Sequence, residues 1–183
     1  MPAPKRELLL QTAEAVFSKE GFKGVSVDRV LAEAGVAKMT LYKGFKGKHE
    51  LICETLRRRG DRLATHLETY VAAAGPRTVD QILSCFDGMQ DWAERSDFNG
   101  CYFVSALTEY GDSQDEIGEI ARQYKKRFLD RLYSLCLPLG LAQPDNLPRS
   151  LFLLIEGATV THMSLGDKAG YARAKAIAAQ LLT

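Results

Sequence analysis

Apolar residues recur at spacings of three and four in every segment of this chain long enough to show a period, and no stretch alternates apolar and polar residues over the length of a strand. That pattern commits the chain to an all-α fold. The helices are punctuated by residues suited to stopping them. From Pro4 to Glu20, Leu9, Leu10, Ala13, Val16 and Phe17 share one face; Gly21 ends the run and lets Phe22 fold back onto that face. Ser26 is suited to cap a second helix, with Asp28 in its first turn and Val27, Val30 and Leu31 as an apolar stripe ending near Ala34. Gly35 supplies a left-handed turn, Val36 a plug for the angle, and a second short helix runs from about Lys38 to Phe45. This spacing is that of a helix-turn-helix.

A longer helix is expected from Lys48 to about Ala74, with Leu51, Ile52, Leu56, Leu63 and Leu67 inward, broken at Gly75-Pro76. Further helices are expected over Thr78 to Arg95, Cys101 to Tyr110, Gln114 to Leu137, Leu147 to Leu165 and Lys168 to Leu182. The chain reads as two parts, residues 1–50 and residues 51–183. Its 183 residues, 46% hydrophobic, are enough to bury a sizeable core. The net charge of +1 hides an asymmetry: residues 1–60 carry 12 Lys+Arg against 7 Asp+Glu, and the remainder 12 against 16, so +5 and −4. A polyanionic partner therefore belongs to the front third.

The run of residues from 5 to 51 resembles the DNA-binding domain of TetR-family regulators. Arg6, Leu9, Leu10, Ala13, Val16, Phe17 and Gly21-Phe22 match its first helix, Ser26-Val27 and Val30 its second, and GVAKMTLYKGF, followed by Lys48 and Leu51, its core. The resemblance implies a recognition helix pinned by Leu41 and Phe45 that presents Lys38, Met39, Thr40 and Lys43 to the major groove. It also implies phosphate contacts from Tyr42 and from Lys48 at the start of the next helix, with Ser26 completing the DNA-facing set. One departure is Gly44, where the family often has His or another bulky residue. Glycine costs up to about 1 kcal/mol of helix propensity there and removes a phosphate contact, for which Lys43 or Lys46 would have to compensate.

For residues 51–183 the segment NGCYFVSALTEY resembles a GC-x-F…A…E stretch found in part of that family. It implies a small, mostly apolar or aromatic effector held by Phe86, Met89, Trp92, Cys101, Phe103, Leu107, Tyr110, Tyr124 and Phe128. Aromatics at helical spacing are equally the stuff of plain core. Cys101, near a helix start, carries the sharper idea of a redox or electrophile sensor, against the plainer one of a buried structural thiol. The last two helices, with Leu151, Leu154, Ile155, Ala158, Val160, Met163, Ile177, Ala178, Leu181 and Leu182, imply a homodimer that reads a palindromic operator, although the same residues also suit the chain's own core.

No cofactor and no metal are expected. Cys53, Cys85, Cys101 and Cys136 show no C-x-x-C and are read as having no histidine at ligand spacing, so neither zinc nor a disulfide framework is suggested. An enzyme is not expected either: His49, His66 and His162 are far apart, and there is no nucleophile turn, phosphate loop or carboxylate-histidine set on a pair of helices. No signal peptide or membrane span is read, which gives a cytoplasmic protein with no membrane partner. The rival reading is a helical adaptor of the same fold that has lost DNA binding, with Gly44 as its supporting feature.

Overall fold

The computed structural model describes residues 3–111, 114–140, 142–143 and 145–182, with side chains from Lys5 onward. The expected connectors GDS and PLGLAQPDN lie partly outside the described residues. Among the described residues there are nine α-helices and no strand: α1 (Ala3–Glu20), α2 (Val27–Ala34), α3 (Lys38–Gly44), α4 (Lys48–Ala73), α5 (Thr78–Glu94), α6 (Tyr102–Tyr110), α7 (Glu116–Cys136), α8 (Asn146–Leu165) and α9 (Gly170–Leu181). A 3-10 turn, Leu137–Leu139, follows α7. The expected helix ends fall within two residues of these, the margin by which helix ends ordinarily fray. No helix among the described residues is long and apolar enough to cross a membrane.

The chain packs as two compact units. One joins the residues up to Asp61 to the segment Cys101–Tyr124; the other joins Arg62–Gly100 to the residues from Lys125 on. The first unit thus recruits α6 and the start of α7 to the first three helices and the first half of α4, which a division at residue 50 does not foresee.

In the first unit, α1 buries Leu9, Ala13, Val16 and Phe17. Gly21 turns with φ +82°, and Phe22 comes back fully buried, its ring 5.7 Å from that of Phe17 and 4.8 Å from that of Tyr102. Residues of α4 continue this core with Leu51, Ile52 and Leu56, and Tyr102 donates its hydroxyl to Thr55 Oγ1 at 2.9 Å. Aromatic packing also brings α7 in: the Tyr124 ring stacks on Phe103 at 5.2 Å, and its hydroxyl donates to the carbonyl of Arg57 at 2.8 Å. Gly60 makes that approach possible. A Cβ there would stand 2.0 Å from the Tyr124 ring, so the aromatic lies directly on backbone.

In the second unit, Leu67, Val71, Ile82, Phe86, Leu132, Leu151, Ile155 and Tyr171 form one apolar cluster. Tyr171 is fully buried, and its hydroxyl is satisfied by Thr159 Oγ1 at 2.8 Å, as a buried phenol requires. Ion pairs lace the rim: Arg131 grips Glu68 in a two-pronged contact at 2.6 and 2.8 Å, Lys125 meets Glu156 at 2.7 Å, and Lys175 meets Asp87 at 2.6 Å.

Candidate nucleic-acid interface

The turn between α2 and α3 is built by three local choices. Ser26 has extended backbone and its Oγ accepts the N–H of Arg29 at 3.1 Å, capping α2. Gly35 ends α2 at φ +61°, where an L side chain would be strained. The amides of Gly35 and Val36 then donate to the carbonyls of Ala32 and Leu31, both at 3.2 Å, and satisfy the free helix end. Val36, the residue after that turn, is half-buried.

The short helix α3 is pinned by two side chains. Leu41 is wholly buried and Phe45 nearly so, while Arg6 lies over the Phe45 ring at 4.6 Å. The remaining side chains point away from the core: Met39 is 63% and Tyr42 56% exposed, Lys38 and Lys43 are exposed, and Thr40 is half-buried. An exposed methionine beside an exposed tyrosine costs apolar burial that a helix used only for packing would recover. Lys38 Nζ is 3.3 Å from Asp28, a well-solvated pair whose contribution is small. At the end of α3 the Phe45 amide donates to Leu41 at 2.7 Å, so the helix closes regularly across Gly44.

Lys48 opens α4, and its Nζ donates to the carbonyl of Lys23 at 3.0 Å. Burial pulls its pKa down, and the carboxylate of Glu109 works against that. Glu109 itself, on α6, accepts the amides of Phe22 at 2.9 Å and Lys23 at 2.5 Å. The turn after α1 is thereby held by a carboxylate on its amides and an ammonium on its carbonyl. Nothing at the level of sequence pairs position 109 with positions 22 and 23.

The nine residues expected around an effector are divided between the two units. In the first, Phe103 and Tyr124 stack, Cys101 stands half-buried at the head of α6, Leu107 is half-buried, and Tyr110 packs its edge on Phe22. In the second, Phe86 and Met89 are buried in the main cluster, Phe128 contacts Phe152, and Trp92 lies beneath the guanidinium groups of Arg62 and Arg95.

The thiols differ sharply in exposure: Cys53, Cys85 and Cys136 are buried and Cys101 is half-exposed. Burial raises Cys53 and Cys85 to about 12 and Cys136 to about 11. A neutral-pH thiol reagent, read by mass spectrometry, is expected to label Cys101 first and the other three only on unfolding. These raised values also set an alkaline limit. Stability from the buried thiols is complete below their ordinary value of 9.0 and is lost as pH climbs toward 11–12.

The spacing of histidine and cysteine needs correction. His49 and Cys53 are four residues apart and share a face of α4, and α7 brings Asp115 and Glu116 beside them. The H-x-x-x-C spacing is visible in the sequence, and a carboxylate-histidine set on two helices is present after all.

Two short helices joined by a glycine turn, the second pinned by two apolar residues and otherwise facing solvent, define a helix-turn-helix DNA-binding protein. The family of bacterial regulatory proteins named for TetR matches residues 9–55. Over 56 residues the chain is 38% identical to the HTH-type transcriptional repressor KstR2 of Mycolicibacterium smegmatis, covering 31% of this chain and 27% of that protein. Over 63 residues it is 32% identical to an HTH-type transcriptional regulator of Staphylococcus aureus, covering 34% of each. The match therefore spans about a quarter to a third of the length of these curated relatives. Solved structures match more widely. A TetR-family transcriptional regulator from Streptomyces coelicolor is 26% identical with a TM-score of 0.90, over 100% of this chain and 89% of that one. A putative one from Streptomyces avermitilis is also 26% identical, with a TM-score of 0.74 over 95% and 97%. Residues 9–55 are thus similar to the DNA-binding part of TetR-family regulators, and the fold of the whole chain is similar to that of TetR-family regulators of known structure.

Proposed function

We propose that this protein is a cytoplasmic transcriptional repressor that binds a palindromic operator as a homodimer and is released by a small, mostly apolar or aromatic effector. Residues 1–50 bind DNA; residues 51–183 dimerise and hold the effector. The observation that carries the DNA reading is the division of α3 between the buried Leu41 and Phe45 and the exposed Lys38, Met39, Tyr42 and Lys43. Thr40 and Met39 take base edges, Lys38 and Lys43 take guanine edges or phosphates, and Tyr42, Lys48 and the Ser26 hydroxyl take phosphates. The printed name of the Mycolicibacterium smegmatis relative, a repressor, supports the sign of regulation.

Dimerisation is supported by the apolar surface of the last two helices. Leu151, Ile155, Ala158 and Ala178 are spent in the chain's own core, and Leu154 and Leu182 are half-buried, whereas Val160, Met163, Ile177 and Leu181 are exposed. Leu153, at 70% exposure, extends this set. Large apolar side chains left in water on consecutive helices suit a two-fold interface. The effector part of this reading rests on the family resemblance.

The test is a fluorescence-anisotropy titration with DNA from upstream of the protein's own gene, followed by a genome-wide binding selection if that DNA fails. Two protomers per site are expected, with binding abolished in Thr40→Ala plus Tyr42→Ala. Log affinity should fall linearly with log salt by roughly 0.9 per phosphate contacted, and Lys48→Ala should reduce that slope by about 1 per protomer. A wild-type protein that binds no duplex in either format is the adaptor instead.

A further inference from the structure

The cluster on α4 and α7 has a geometry that packing does not require. His49 Nε2 lies 2.8 Å from Asp115 Oδ1, and Asp115 is itself fixed by accepting the amide of Ile117 at 2.8 Å. With Nε2–H donated to that carboxylate, the neutral imidazole keeps its lone pair on Nδ1, which faces Cys53 Sγ at 3.7 Å. A carboxylate oxygen of Glu116 completes the group, all three ligand atoms lying within 4.8 Å of one another.

We propose that His49 Nδ1, Cys53 Sγ and a Glu116 carboxylate oxygen bind one zinc-class divalent transition-metal ion, with Asp115 as the outer carboxylate that orients the histidine. The distances fit. With zinc bonds of about 2.3 Å to sulfur and about 2.0–2.1 Å to nitrogen, a tetrahedral angle separates the two donors by about 3.6 Å, against the 3.7 Å found. The ligand set fits as well: one imidazole, one thiolate and one carboxylate are borderline in softness, which suits zinc and its neighbours and not magnesium or calcium. Charge closes too. On binding, the thiol proton leaves to solvent, a sulfur–metal bond forms, and the thiolate and carboxylate together neutralise the divalent ion, with no change of oxidation state.

Three protein ligands leave a fourth position for water or an exchangeable molecule. Arg57 donates to Glu116 Oε1 at 2.6 Å and to Glu54 at 2.8 Å, which restrains the Glu116 carboxylate. Neither the ligand geometry nor the charge balance depends on DNA binding. Occupancy would tie the first turns of α4, just beyond Lys48, to the start of α7.

The experiment is a titration of the chelator-treated full chain with Co2+ alone, followed by Zn2+. Wild type is expected to take one Co2+ per chain with a thiolate-to-cobalt charge-transfer band and visible bands of tetrahedral strength, all removed by Zn2+. Cys53→Ser should lose the charge-transfer band and Cys101→Ser should keep it. His49→Ala and Glu116→Gln, at exposed positions, should each weaken binding at least tenfold with an unchanged far-ultraviolet circular dichroism spectrum, and Asp115→Asn should weaken it by about 10–100-fold. If Cys53→Ser fails to fold, His49→Ala and Glu116→Gln decide alone. Absence of the band in wild type, its persistence in folded Cys53→Ser, or unchanged affinity in His49→Ala overturns the site.

Discussion

Glu14→Gln is expected to destabilise the first unit by about 3–5 kcal/mol, the range found when one partner of a buried ion pair is removed. Glu14 and Arg59 are 3% and 4% exposed, and Arg59 Nη1 lies 3.0 Å from Glu14 Oε1. Arg58 Nε adds a second guanidinium 3.3 Å from the other oxygen, and the Arg59 guanidinium lies over the Tyr102 ring at 5.7 Å. A guanidinium cannot shed its proton to escape burial. Neutralising Glu14 therefore leaves a cation in a dry site beside an amide that returns only part of the interaction.

The result is read by urea unfolding followed by circular dichroism, and the melting temperature should fall by about 10 °C or more. The compensating pair, Glu14→Leu with Arg59→Met, separates two meanings of the loss. Removing both charges should recover most of the stability, since apolar replacements of buried pairs are often neutral or better. If the double variant stays as unstable as the single, the pair is a packing element rather than an electrostatic one. A single variant within 1 kcal/mol of wild type would mean that water reaches Arg59.

What the sequence made legible, and what it did not, follows from the range of the interactions. Gly21, Ser26 and Gly35 act on their own neighbours, through a positive φ or a hydrogen bond three residues away, so the helix-turn-helix can be read directly from their spacing. Leu41 and Phe45 are legible as pins because the period of a short helix allows them one face. Periodicity marks which face of a helix is apolar but not which helix it meets. That is why α6 and the start of α7 join the first three helices and the first half of α4 without any sign of it in the chain order.

The same limit explains the nine aromatic and apolar residues expected around an effector, which share a period with the core and divide between two units. It also explains the α4–α7 cluster. His49 and Cys53 stand at a legible spacing of four, but Asp115 and Glu116 arrive from more than sixty residues away.

Glu109→Ala is expected to lower both the stability of the first unit and its affinity for DNA, because one carboxylate holds two backbone amides. Bonds from amides to a charged acceptor contribute about 1.5–3 kcal/mol each, and partial exposure of this site brings the pair to about 2–3 kcal/mol. The turn it grips leaves little room for relaxation. Gly21 is at φ +82°, and a Cβ there would already crowd Glu109 Oε1 at 3.2 Å. On the other side of the turn the Lys23 carbonyl accepts from Lys48, the residue proposed to meet phosphate. Releasing the two amides frees that carbonyl to move, and Lys48 loses both a fixed acceptor and the carboxylate that offsets its burial. Hydrogen exchange should show lost protection at Phe22 and Lys23, and anisotropy should show operator affinity falling about tenfold. Equal loss with Glu109→Gln would assign the effect to charge, whereas a smaller one would assign part of it to the remaining hydrogen bond. Unchanged exchange at both amides would mean that the turn is held by Gly21 and the buried Phe22 ring without help from α6, and the direct Coulombic effect of deleting a carboxylate beside Lys48 would then raise DNA affinity rather than lower it.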